Sequence, residues 1–542
     1  MMSRNSTLAA LLAVAINLVP LAPAARSAEA PGNAWQQKCN ALKRADFASD
    51  AQAPAKVWGP FTKFVEASEG SPAYCSVQGY VVPNIGFEVR LPAGNWNGKF
   101  LALGCGADCG FIQAAACKGP LQKGYTCIAT DTGHRGQGGL WASNDLQAQV
   151  DFGYRAVHVV TLAGKAIAEQ YYGSPPKKSV FFGCSTGGRQ ALVEAQRFPW
   201  DFDGIIAGAP YINDADSAMN SLWAARSLRS KDGAPLLLAA DLKVVHAAAL
   251  AKCDLDDGIK DGLIGDPRHC RFDPHELVCK DGNRGQCLTQ VQADAVAKVY
   301  DGPRNSKGER LYVGGAVRGS ELNWADEEAD DGYTAATGRM APSESWPATF
   351  FRFMAIPPAG PHWQPSDYDF DRDYRRFGTG TQESLLNAGN PDLRKFKLAG
   401  GKLLMYQGWN DISDVPPMTI DYYSTVERTM GGQANTQDFF RLFMVPGMNH
   451  CGAGEGAFAV DYLSAMEAWL DQGQAPQMLV GAHIKDPSDA DYTSYAPIMR
   501  KFPVSAADRT FMRPLFPFPL MGKYRGSGDP NDAANYRSVE PQ

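Results

Sequence analysis

The chain has 542 residues, a net charge of −6, 44% hydrophobic and 20% charged residues. That composition is globular and excludes an extended disordered chain, and the absence of a basic stripe excludes a nucleic-acid partner. The length exceeds what one simple core supports, so two domains, or one with a large insertion, are expected.

Residues 1–30 read as a secretory signal. Arg4 supplies the positive start, residues 8–21 are apolar but too short to span a bilayer, and Ala22-Pro23-Ala24 and Ala28-Glu29-Ala30 offer A-x-A cleavage sites. No later apolar run is long enough for a membrane anchor, so a secreted or periplasmic protein is expected. Twelve cysteines, an even number, fit an oxidising compartment. Their spacing is not C-x-x-C, which argues against zinc.

Residues 35–95 are mixed and β-rich, with strands expected over 78–82 and 86–91. Residues 99–103 form an apolar strand that runs into Gly104-Cys105-Gly106-Ala107-Asp108-Cys109-Gly110. Another strand, 124–130, ends at Asp131-Thr132-Gly133-His134. Apolar residues at helical spacing predict a helix over 157–172. A strand over 178–182 then meets Gly183-Cys184-Ser185-Thr186-Gly187, a G-x-S-x-G pattern, and a helix over 189–196. A strand, a tight turn carrying serine and a helix make a nucleophile elbow. A short strand over 202–207 follows. Strands alternating with helices imply a parallel sheet covered on both faces.

The rhythm changes after Pro210. Residues 31–210 read as the first part of an α/β-hydrolase core. Residues 211–398, with acidic turns, four cysteines and aromatics such as Trp346, Phe350, Phe351 and Trp363, read as a large inserted lid domain. Residues 399–542 complete the core, with strands at 402–406 and 440–445 and a helix over 457–472. The Pro- and Gly-rich tail from Arg513 is expected as extended coil.

A serine hydroxyl needs a base to take its proton, and in this fold the order is Ser, acid, His. Asp411 follows a late strand and is the expected acid, with Asp414 as its rival. His450 follows the last strand and is the expected base, with His483 as the alternative. His134 comes too early in the chain and reads as loop-fixing or pocket-lining. Cys184 precedes Ser185 and Cys451 follows His450. Paired Cα atoms lie about 4.4 to 6.8 Å apart, so a Cys184–Cys451 bridge would staple nucleophile to base. The oxyanion hole needs backbone N–H groups. Thr186 supplies one, and the 104–110 loop the other, with Gly106 the best candidate and Cys105 or Ala107 open.

Residues 253–263 of the insertion are CDLDDGIKDGL. Calcium takes six to eight oxygens from carboxylates and carbonyls. Asp254, Asp257 and Asp261 could converge on one ion, with the carbonyls of Ile259 and Leu263 between them. The rival reading is a solvated acidic turn. A Cys253–Cys270 bridge would cinch the loop.

These segments together resemble the tannase and feruloyl esterase family. The residues that carry the likeness are Asp151-Phe152-Gly153-Tyr154-Arg155-Ala156-Val157-His158, then 183–210, the acidic loop, 408–417 and 446–452. The resemblance implies a lidded α/β-hydrolase, Ser185, Asp411 and His450 as triad, the Cys184–Cys451 bridge and structural calcium. It implies substrates that are esters of aromatic acids: gallates, hydroxycinnamates or, in one branch, the mono(2-hydroxyethyl) ester of terephthalate. Two departures stand out. Cysteines and Asp108 intrude into the oxyanion loop, and the tail lacks a cysteine. Cys279 and Cys287 are also assigned to disulfides, while the pairing of Cys39, Cys75, Cys105, Cys109, Cys117 and Cys127 stays open. An acyltransferase on the same fold is an alternative, and a non-catalytic binding protein is disfavoured because no triad member is lost. Arg352 is a candidate cation for an acidic substrate.

Overall fold

A computed structural model describes residues 31–50, 52–68, 70–280, 286–324, 342–377, 380–486 and 502–541. The signal expected over residues 1–30 lies outside them. The centre is one mixed sheet. Its first strands are β1 (Asp46–Phe47), β2 (Ala55–Val57), β3 (Lys63–Val65), β4 (Tyr74–Val81) and β5 (Ile85–Pro92). Then come β6 (Lys99–Leu103), β7 (Thr126–Thr130), β8 (Lys178–Cys184), β9 (Gly204–Gly208), β10 (Lys402–Gly408) and β11 (Phe440–Val445). Their spatial order is β1-β2-β4-β5-β7-β6-β8-β9-β10-β11, with β3 against β4. Every pairing from β7 through β11 is parallel. The pairings that bring in β1 to β5 are antiparallel.

Successive strand residues point to opposite faces, and this chain buries both. Phe100, Phe181, Ile205, Leu403 and Leu442 enter one core. Leu101, Phe182, Ile206, Leu404 and Phe443 enter the other. Helices Ala156–Tyr172, Thr186–Arg197 and Pro416–Thr429 cover the first face, and Tyr462–Gln472 the second. This double burial explains why the central strands read as continuous apolar runs. Phe181 is wholly buried, and its truncation to alanine would cost about 3–5 kcal/mol.

Between β9 and β10 the chain leaves the sheet and builds a third core around Val245, Ala249, Ile264, Val296 and Tyr300. The insertion is not detached. Its residues Ala218, Leu222, Phe350, Phe351 and Met354 pack into the first core of the sheet.

Two expectations are corrected. The helix placed over 457–472 starts only at Tyr462, where Asp461 caps it by accepting the Ser464 N–H. The preceding Ala459–Val460 is a strand, β12. The tail is not coil either. β13 (Leu479–Ile484) pairs with β12 on one side and with β14 (Arg509–Leu515) on the other. β15 (Met521–Tyr524) and β16 (Tyr536–Val539) form a further antiparallel pair. Pro and Gly content signalled loops, but an open strand edge elsewhere in the fold supplied hydrogen-bond partners that composition could not show.

Six disulfides engage all twelve cysteines: Cys39–Cys75, Cys105–Cys109, Cys117–Cys127, Cys184–Cys451, Cys253–Cys270 and Cys279–Cys287. Such density points to an extracytoplasmic compartment. Among the described residues, no helix is long and apolar enough to cross a membrane.

Candidate active site

Ser185 sits between β8 and the helix Thr186–Arg197 with φ 63° and ψ −125°. A side chain at positive φ is strained and must be held there by its surroundings. The glycines show how tight the turn is. A Cβ on Gly183 would lie 2.4 Å from the Gly187 carbonyl oxygen, and one on Gly188 would lie 2.2 Å from that of Gly208. Only a bare backbone lets the helix start so close to the strands. The Ser185 N–H donates to the Gly208 carbonyl at 3.0 Å, tying the elbow to β9.

Asp411 lies in the turn after β10 and is fully buried. Its Oδ2 accepts the His450 Nδ1–H at 2.8 Å and Gln407 Nε2 at 2.8 Å. Its Oδ1 accepts the N–H groups of Ser413 (2.9 Å) and Asp414 (3.0 Å). Four donors on one carboxylate offset its burial. His450 rides on the loop after β11, and Cys184–Cys451, with Cα atoms 5.9 Å apart, ties that loop to the elbow. The bridge brings the serine and histidine loops to one rim of the sheet. The Tyr211 ring stands edge-on to the imidazole, centroids 6.2 Å apart. Trp346, from the insertion, packs on Tyr211 with ring centroids 5.0 Å apart.

The alternatives fall elsewhere. Asp414 is buried; its Oδ1 accepts from Ser217 Oγ at 3.4 Å and its Oδ2 has no partner among the described residues. Burial, with Asp411 and Asp214 nearby, holds its carboxyl well above the usual carboxylate range against the pull of His450. It caps no helix, since Val415 holds the N-cap of Pro416–Thr429 without a side-chain bond. His483 meets the Gly456 carbonyl at 2.9 Å and stacks on Phe511. His134 stacks on Trp141 and donates through Nε2 to the Asp108 carbonyl at 2.8 Å. Burial lowers it to about 4, so it is a neutral pillar under the oxyanion loop. Arg352 donates to the Trp363 carbonyl and Gln364 Oε1 within the insertion.

The oxyanion loop is tied over the helix start. Cys105–Cys109 closes it, and Thr186 Oγ1 donates to the Ala107 carbonyl at 2.6 Å. The Cys105 N–H bonds Gln190 Oε1 at 3.2 Å, which removes it as a donor. The N–H groups of Thr186, Gly106 and Ala107 have no acceptor among the described residues.

Two residues of the site escaped the sequence reading. Gln407 orients Asp411 and is itself fixed by Thr419 Oγ1 at 2.9 Å. A lone polar residue at the end of the apolar run 403–406 was the available signal. Gln190, which holds Cys105, gave none, because its helix reads as an ordinary amphipathic one.

In the acidic loop, Asp254 accepts the N–H groups of Asp261 and Gly262, Asp257 that of Ile259, and Asp261 that of Leu263. Arg513 from β14 pairs with Asp261 at 2.5 Å. Among the described residues, no three Asp, Glu, His or Cys side chains are gathered closely enough to hold a metal ion. The donor chemistry nonetheless suits a hard cation, being carboxylate and carbonyl oxygen throughout. Burial first, then the charges of Asp261 and Asp254, push Asp257 up to about 7. Arg513 offsets only part of that charge.

Parallel sheet, elbow and late acid–histidine pair are the parts of an α/β-hydrolase. The sequence model for tannase and feruloyl esterase matches residues 70–539. The chain belongs to that family and is a carboxylic ester hydrolase. It is 34% identical to an uncharacterised esterase of Xanthomonas campestris, over 86% of this chain and 85% of that one. It is 31% identical to the mono(2-hydroxyethyl) terephthalate hydrolase of Piscinibacter sakaiensis, over 89% and 88%. The crystal structure of feruloyl esterase B from Aspergillus oryzae superposes with a TM-score of 0.78 at 25% identity, over 93% of this chain and all of that one.

Proposed function

We propose that the protein is a secreted or periplasmic serine esterase that cleaves esters of aromatic carboxylic acids through an acyl-enzyme. The observation that carries this is the Asp411–His450 bond on a loop stapled to the Ser185 elbow. Ser185 Oγ attacks the ester carbonyl while His450 Nε2 takes its proton. Asp411 keeps the other proton on Nδ1 and stabilises the imidazolium. The N–H groups of Thr186 and Gly106 receive the oxyanion. His450 then protonates the leaving alcohol, and water attacks the acyl-enzyme by the same route in reverse.

The aromatic acyl group is supported by the Tyr211–Trp346 wall beside His450 and by the substrates named for the relatives. Structural calcium belongs to the same reading. Asp254, Asp257, Asp261 and the carbonyls of Ile259 and Leu263 would hold it, and the ion would neutralise a crowded acidic loop away from the reacting ester.

The test is a hydrolysis panel of gallate, ferulate, phthalate and terephthalate esters beside an acetyl ester. At least one aryl ester should exceed the acetyl ester in kcat/KM. Ser185→Ala should lose about 10⁴ to 10⁶ in turnover. Turnover of the acetyl ester alone would remove the aromatic assignment.

A further inference from the structure

A second cavity opens at the end of the sheet where its antiparallel and parallel parts meet. It holds about 500 Å³ and is lined by Trp58, Tyr80, Asn84, Asp131, His134 and Arg135. The strand register brings these residues together. Trp58 follows β2 and donates its N–H to the Gln78 carbonyl of β4 at 2.8 Å, two positions before Tyr80 on the same strand. Asn84 lies in the turn from β4 to β5. Tyr80 pairs with Gly86 across that hairpin, and Phe87 pairs with Thr130 of β7, which sets Asp131 beside Gly86. Ser185, Asp411 and His450 do not line this cavity. His134 stands between the two places: it lines the cavity and donates through Nε2 to the Asp108 carbonyl of the oxyanion loop.

Asp131 is built into this cavity with one oxygen to spare. The residue is 3% exposed. Its Oδ1 accepts the N–H groups of Gly86 at 2.8 Å and Gly133 at 2.9 Å. Its Oδ2 accepts no hydrogen bond from the described residues, and Arg135 Nε stays 4.0 Å away, too far for one. A Cβ on Gly86 would lie 2.3 Å from Oδ2, so a bare backbone at Gly86 leaves the carboxylate its place. The Arg135 side chain is 74% exposed, and its guanidinium lies 6.0 Å from the Trp58 ring centroid. Trp58 and Tyr80 stand 5.8 Å apart, tilted by 42°, as an aromatic wall.

The mixture of groups selects the ligand. An anion would meet the Asp131 carboxylate, a like charge in a poorly hydrated place. A cation would have to share both the carboxylate and the Trp58 face with Arg135. A neutral polyhydroxylated ring meets no like charge. Its hydroxyls can donate to Oδ2 and accept from Arg135 and Asn84, while its C–H face covers the aromatic wall. A hydroxyl that completes a buried acceptor gains affinity, and the volume falls in the range of small-ligand sites. We propose that this cavity is a carbohydrate-binding site for a neutral mono- or disaccharide unit, with Asp131 as hydroxyl acceptor, Arg135 as donor, and Trp58 and Tyr80 as the stacking wall. The site is independent of which acyl group the ester cleft takes.

The test is titration calorimetry of the whole protein with cellobiose, maltose, lactose and xylobiose, in buffer free of glycerol and other sugars. Tetramethylammonium and benzoate serve as the charged rivals. At least one disaccharide should bind with a Kd of about 1 mM or tighter. Trp58→Ala should weaken that binding about tenfold, and Arg135→Ala about fivefold. Both variants should hydrolyse an acetyl ester at the wild-type rate, since neither side chain belongs to the ester-cleaving machinery. Asp131→Asn keeps an oxygen for the two glycine N–H groups and turns an amide towards the sugar, so it should also weaken binding. If that variant does not fold, the exposed Arg135 still decides. Failure of all four disaccharides to bind at up to about 20 mM would overturn the proposal. So would binding of tetramethylammonium or benzoate in their place. Disaccharide binding unchanged in both Trp58→Ala and Arg135→Ala would put the sugar elsewhere on the protein and overturn it as well.

Discussion

Asp411→Asn and Asp414→Asn should behave in opposite ways, although the residues are three positions apart. Asp411 accepts four hydrogen bonds, from Gln407, His450 and the N–H groups of Ser413 and Asp414. An asparagine there keeps its oxygen on the two backbone N–H groups. Its NH₂ then faces Gln407 Nε2 and His450 Nδ1, both donors. Gln407 cannot turn easily, because its Oε1 already accepts from Thr419. The imidazole must therefore move its proton to Nε2, the nitrogen that should take the serine proton. The expected loss is about 10⁴ in kcat, or about 5.4 kcal/mol at 1.36 kcal/mol per tenfold. KM should move little, since Asp411 is not placed to touch substrate. Asp414→Asn replaces a carboxyl whose burial favours the neutral form, so it should cost no more than about 1 kcal/mol, or about fivefold. Steady-state hydrolysis of an acetyl ester by both variants, with thermal melts to confirm folding, decides it. A folded, fully active Asp411→Asn beside a dead Asp414→Asn would refute the assignment of the acid.

The calcium assignment is tested by heat. A chelator should lower Tm and added calcium restore it by mass action, while turnover at low temperature stays close to its starting value. An unchanged melt would leave the loop a plain acidic turn, and immediate loss of turnover would place the ion in the working of the lid. His134 should make the protein sensitive to acid. Its pKa is about 4 in the fold against 6.5 when exposed. Between these values the unfolded chain binds a proton that the folded one does not. The stability of burying the neutral ring is thus whole above 6.5 and lost as the pH falls towards 4. From about pH 7.5 to about pH 4.5, His134→Gln should lose less Tm than the wild type. Parallel losses would show that the ring does not resist protonation.

Much of this site could be read in the sequence because its signals are local. The strand 178–182, the glycines around Ser185 and the helix behind it depend on backbone sterics within a few residues. The position of Asp411 follows from a strand ending at Gly408, and that of His450 from a strand ending at Val445. The family likeness joined these separated pieces. Local reading was weakest where a partner from far along the chain decided the outcome. The tail became β14 because the edge of β13 was free to receive it.

The chain order therefore determined that this is an α/β-hydrolase, with a serine at the elbow after β8, an aspartate after β10 and a histidine after β11. It could rank Asp411 over Asp414, but not say why. Tertiary structure supplies a physical reason for that ranking, since it gathers four donors on Asp411 and leaves Asp414 with one oxygen unpartnered among the described residues. It also decided the pairings Cys39–Cys75, Cys105–Cys109 and Cys117–Cys127, which the sequence left open. These outcomes depend on which groups lose water together. That is set by contacts between residues hundreds of positions apart, such as Asp261 and Arg513, 252 apart in sequence, and no local pattern carries it.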